Sequence, residues 1–85
     1  MLTGQKIAVL RTEANLTQEQ LAEKLYVTRE LVSKWETGKR NPNYKMILKI
    51  AEIFNVEAED IFRQYLSEHY INSLYPQLTI FEIFL

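Results

Sequence analysis

The sequence predicts an all-α fold of five short helices, and three observations carry that expectation. Only two glycines and two prolines punctuate 85 residues, which favours helices joined by tight turns. Apolar side chains recur at spacings of three and four through the first two thirds of the chain. Threonine or asparagine stands ahead of three of these runs, where a side-chain oxygen can accept from the free N–H groups of a helix start.

Ile7, Leu10 and Ala14 keep helical spacing in a first segment over about residues 4–14. Thr17 caps a second helix, about 18–25. Gln20 stands at its third position and completes a capping box ahead of Leu21, Ala22 and Leu25. After a turn at Tyr26-Val27, Thr28 caps a third helix that runs to about residue 37 and is stopped by Gly38. Leu31, Val32 and Trp35 form its apolar face, while Arg29, Glu30, Ser33 and Lys34 lie opposite. Lys39-Arg40-Asn41-Pro42 makes a basic loop. Asn43 caps a fourth helix with a broad apolar stripe of Ile47, Leu48, Ile50, Ala51 and Phe54, and Asn55 can end it in the left-handed conformation. A fifth helix starts near residue 57 and carries Ile61, Phe62, Tyr65 and Leu66.

Composition excludes several functional classes. A chain of 85 residues, 47% apolar and without cysteine, has room for one core but no disulfide framework and no thiolate metal site. Such a small core relies on close helix packing or on a partner chain. The N-terminus lacks the pattern of a signal peptide, and no run approaches the roughly 20 apolar residues that span a bilayer. A soluble, cytoplasmic protein with no membrane association is expected. His69 is the single histidine; neither it nor Ser67 has the partners of a catalytic triad. No metal-ligand cluster is present either, so no enzyme, metal or cofactor is expected.

The net charge of −1 conceals a polarised chain. Residues 1–45 hold eight Lys/Arg against five Asp/Glu, a balance of +3, while residues 46–85 hold two against six, a balance of −4. A basic front and an acidic back suit a module that docks on a polyanion through its first half. Two short capped helices joined by a brief turn, with apolar inner faces, make a helix-turn-helix. Its second helix must present long donors if it is to reach base edges in a groove about 12 Å wide. Arg29, Glu30 and Lys34 meet that need. Glu30 has two open roles: accepting from cytosine N4, or orienting Arg29. Trp35 shares the spacing of Leu31 and Val32 and belongs to the core, not to a stacking platform. Glu36 is expected to pair structurally with a basic residue.

Leu16-Thr17-Gln18-Glu19-Gln20-Leu21-Ala22, then Val32-Ser33-Lys34-Trp35-Glu36-Thr37-Gly38 and Pro42, resemble the XRE family of lambda-repressor-like and Cro-like regulators. The likeness runs from Ile7 to about Phe62, two thirds of the chain, and its spacing is specific. It implies a compact five-helix lambda-repressor-like domain with the third helix in the major groove. It puts Gln18 at a phosphate-contacting position and Arg29, Glu30 and Lys34 at base-reading ones, with Thr28 and Ser33 beside them. The loop residues Lys39, Arg40 and Asn41 would hold the backbone of the flanking DNA. Two positions depart from the pattern. Tyr26 stands where glycine is frequent in the turn, and Glu57 stands where a serine commonly caps the fifth helix.

The domain is expected to cover residues 1–63, and residues 64–85 to form a helical or strand extension. Its apolar stripe continues through Tyr70, Ile71, Leu74 and Tyr75, and Pro76 then breaks it. The run 78–85 is β-branched, aromatic and apolar on both faces, a hazard in a monomer. A homodimer joined by these extensions is therefore expected, reading a palindromic operator in double-stranded DNA as a transcriptional regulator, with repression the expected sense. The alternative is a protein-interaction module, such as the antitoxin of a toxin–antitoxin pair, with a protein partner of its own.

Overall fold

The computed structural model describes residues 2–65, which form α1 (Thr3–Glu13), α2 (Gln18–Leu25), α3 (Arg29–Glu36), α4 (Tyr44–Phe54) and α5 (Ala58–Tyr65). The five helices lie within one or two residues of the spans expected from periodicity. Residues 66–85 lie outside the described residues, and with them the readings of a helical or strand extension and of a dimer element.

Local chemistry sets the helix starts. Thr17 Oγ1 accepts from the Gln20 backbone N–H at 3.0 Å, and Gln20 Oε1 accepts from the Thr17 N–H at 2.8 Å, so the capping box closes in both directions. Thr28 Oγ1 accepts from Leu31 N–H at 3.2 Å and Asn43 Oδ1 from Met46 N–H at 2.8 Å. The stops of α2 and α4 are alike. Tyr26 and Asn55 are left-handed, with φ of 58° and 54°. The next residues, Val27 and Val56, donate back to the carbonyls of Ala22 and Ala51 at 3.0 Å. Asparagine tolerates this conformation; tyrosine pays about 1 kcal/mol for it. Tyr26 is 94% exposed, so no burial offsets that strain.

The helices pack with α1 against α3 and α5, α2 against α3 and α4, and α4 against α5. Ile7, Leu21, Leu25, Val32, Trp35, Ile47, Ile50, Ala51 and Ile61 meet at the centre. Trp35 is 3% exposed, which settles it as a core residue. The fourth-helix stripe divides: Ile47, Ile50 and Ala51 are buried, whereas Leu48 is 45% exposed. Leu48 therefore does not belong to this core, because the stripe read from the sequence is wider than the surface that α4 presents to α2 and α5. Gly4 has a role that the sequence did not disclose. A Cβ built there would overlap the backbone carbonyl of Trp35, so α1 crosses the end of α3 at a distance only glycine permits.

Candidate nucleic-acid interface

α3 turns one face to the core and the other to solvent. Val32 and Trp35 anchor it from within. On the outer side, Arg29, Glu30, Ser33, Lys34, Thr37 and Lys39 line one shallow hollow. Four of these come from successive turns of the helix; Thr37 caps its end and Lys39 comes from the loop beyond. The loop is tied down: the Lys34 carbonyl accepts from the N–H groups of Lys39 at 2.9 Å and Arg40 at 3.2 Å. The Lys39 side chain thereby joins those of Arg29 and Lys34, giving three cations and one carboxylate on the surface.

Among the residues singled out in the sequence, the hollow unites Arg29, Glu30, Ser33, Lys34 and Lys39. Thr28 sits at the helix start with its hydroxyl committed to the cap. Arg40 and Asn41 are exposed beside the hollow without lining it. Glu30 lies 3.9 Å from Arg29, a loose ion pair with both side chains more than half exposed. Thr37 is the addition. Its hydroxyl donates to the carbonyls of Ser33 at 2.9 Å and Lys34 at 3.3 Å, so its donor is satisfied within the helix and its methyl remains for outside contact. Its place four residues after Ser33 and seven after Glu30 was the available signal, since those spacings return to nearly the same helix face.

Behind this surface lies an ion pair that fixes its position. Arg11 of α1 donates through Nε to Glu36 Oε2 at 2.7 Å and through a second nitrogen to Glu36 Oε1 at 3.0 Å. Its remaining terminal nitrogen donates to the Leu16 carbonyl at 2.8 Å. The side chains are 15% and 8% exposed. The hydrogen bonds to Glu36 raise the Arg11 pKa above the ordinary arginine range; burial opposes this, and the carboxylate charge reinforces it. A raised pKa means that the stabilisation is complete below the ordinary range and is lost only at more alkaline pH, so the pair holds throughout neutral conditions. Glu36 is thus the structural partner anticipated from the sequence. Gln18 joins the same cluster, donating from Nε2 to Glu36 Oε1 at 3.1 Å. The start of α2 and the end of α3 are therefore held to α1 by one carboxylate.

The arrangement defines a class: two capped helices at a fixed angle, the second presenting cations outward, are a helix-turn-helix. The helix-turn-helix family model matches residues 7–61, and the chain belongs to that family, of XRE type. Over 58 residues, 68% of this chain, it is 49% identical to the HTH-type transcriptional activator BcrR of Enterococcus faecalis, although the match spans only 28% of that protein. It is 46% identical over 57 residues to an uncharacterized HTH-type transcriptional regulator of Archaeoglobus fulgidus, covering 67% of this chain and 80% of the relative. The fold is shared with the P22 c2 repressor protein, solved in complex with a synthetic operator. Its TM-score is 0.69 at 21% identity, over 73% of this chain and 94% of that one. The chain is a DNA-binding transcription regulator of this family. Among the described residues, no helix is long and apolar enough to cross a membrane.

Proposed function

We propose that the chain binds double-stranded DNA with α3 in the major groove, reading bases through Arg29, Glu30 and Lys34. The observation that carries this is the outer face of α3, where those three side chains share a hollow with Ser33, Thr37 and Lys39 on a helix anchored from behind. Arginine and lysine pair with guanine O6 and N7, and a carboxylate accepts from cytosine N4. Thr28, Ser33, Lys39, Arg40, Asn41 and Gln18 hold the flanking phosphates and set the register without carrying sequence information. The amide of Gln18 has two N–H donors. With one directed to Glu36, the other is available to a phosphate.

So few basic residues bind weakly at physiological salt when presented once. We therefore assign the operator a two-fold palindrome and the protein a homodimer, with residues 1–63 as the DNA-binding domain and residues 64–85 as the joining extension. Two α3 helices about 34 Å apart would then enter successive major grooves on one side of the duplex. Repression by occupying a promoter needs nothing more than this binding, and the reading places the protein with DNA in the cytoplasm. The matches to transcriptional regulators favour this reading over a module whose main partner is another protein.

Selection of bound duplexes from a random pool tests the proposal. A recurring sequence with two inverted half-sites is the expected product; a pool that stays random would sink base reading by α3. Sedimentation of the full chain and of a chain ending after Ser73 tests the assembly. The full chain should be dimeric at micromolar concentration and the shortened one monomeric, and a shortened dimer would relocate the interface.

A further inference from the structure

We propose that residues 66–75 of the same chain cover the outer face of α4, seating on Tyr44, Leu48 and Phe62. Tyr44 and Leu48 are 60% and 45% exposed and stand four residues apart, one above the other on the helix. The Tyr44 ring meets Phe62 of α5 edge-on, with centroids 5.8 Å apart, so the patch runs from α4 onto α5. The buried stripe of Ile47, Ile50 and Ala51 lies alongside this patch, so the apolar surface of α4 is wider than the core that covers it. Among the described residues, the Tyr44–Leu48 edge of that surface is left exposed.

Three features select the occupant. The first is the tether: the chain leaves α5 three residues after Phe62, so whatever follows is held at the patch at an effective concentration that a separate molecule would need millimolar levels to match. The second is reach and composition. Ten residues extend about 15 Å even when fully helical, against about 6 Å between neighbouring turns of α4, and Leu66, Tyr70, Ile71, Leu74 and Tyr75 supply apolar side chains to fill the patch. The third is charge. Lys45 and Lys49 are exposed, each one position beyond a patch residue, whereas residues 66–75 contain Glu68 and no lysine or arginine. A second copy of the folded domain could offer apolar contacts but not the tether. Within the extension 64–85 this narrows the joining role to the part after Pro76, and the inference stands or falls independently of DNA reading.

The absence of cysteine makes introduced pairs a clean measure of proximity. In the full chain, Leu48→Cys combined with Ile71→Cys or Leu74→Cys should form a disulfide within one chain under mild oxidation. The rate should exceed that of Glu23→Cys with the same partners, on the exposed side of α2, by on the order of tenfold. Disulfides found only between two chains would assign the face to a second copy, and rates no faster than the control would leave it uncovered; either overturns the proposal. A second measurement avoids new disulfides. Tyr44→Ser with Leu48→Ser in the full chain should raise proteolytic cleavage within residues 66–75 on the order of tenfold while the helical signal of the domain stays intact. Unchanged cleavage overturns the proposal as well.

Discussion

Arg11–Glu36 and Arg29–Glu30 are the same chemical pair in two settings. The first has a 2.7 Å contact and side chains 15% and 8% exposed; the second spans 3.9 Å with 54% and 70% exposed. Burial makes the inner pair an obligation: its carboxylate accepts from two arginine nitrogens and from Gln18, and removal of either ion strands the other. The outer pair faces water, and its members keep free hydrogen-bonding capacity. One pair aligns α3 and the other is available to a ligand. Side-chain chemistry did not separate these roles; the local environment did.

The comparison breaks most visibly at the inner pair. Glu36→Ala should cost about 3 kcal/mol in chemical denaturation, the lower end of the range for a buried pair because Arg11 keeps some exposure. Arg11→Met with Glu36→Leu should cost less than either single removal, since no charge is then left unpaired. Additive losses would show that the pair carries no mutual obligation. On the outer face the cost should appear in binding instead. Arg29→Ala or Lys34→Ala should lose about 1–3 kcal/mol on the preferred site and relax base choice there, with stability changed by no more than about 0.5 kcal/mol. Equal loss on random and preferred duplexes would make the tested residue a phosphate contact.

Two smaller effects sharpen the picture. Thr37 offers a methyl because its hydroxyl is turned into the helix. If that methyl meets thymine, replacing one operator thymine by uracil should cost about 0.8 kcal/mol against the native chain and nothing against Thr37→Ser. Equal losses would remove Thr37 from the base-reading surface. Tyr26→Gly should raise stability by up to about 1 kcal/mol, because a left-handed tyrosine that buries almost nothing is replaced by a residue without the Cβ conflict. A stability loss in thermal unfolding would mean that Tyr26 makes a contact its exposure does not reveal.

What the sequence determined by itself is local. Thr17, Gln20, Thr28 and Asn43 cap helices where they stand, because a cap needs only a side-chain oxygen and an N–H three residues on. The two faces of α3 were legible for the same reason: a helical repeat sorts Val32 and Trp35 from Arg29 and Lys34 without reference to the rest of the chain. That Glu36 would be paired was also legible, but its partner was not. Arg11 lies 25 residues earlier, and only the crossing of α1 over α3 brings the two together. The same crossing gives Gly4 its necessity, since the steric conflict is with a carbonyl on another helix. The packing of α2 against α3 likewise brings the Gln18 amide to Glu36. Leu48 fits the apolar repeat of α4 yet faces outward, because periodicity reports which residues could be buried and packing decides which are. Spacing along the chain carries information about one helix; the angle at which two helices meet depends on every side chain between them, and that was settled only in three dimensions.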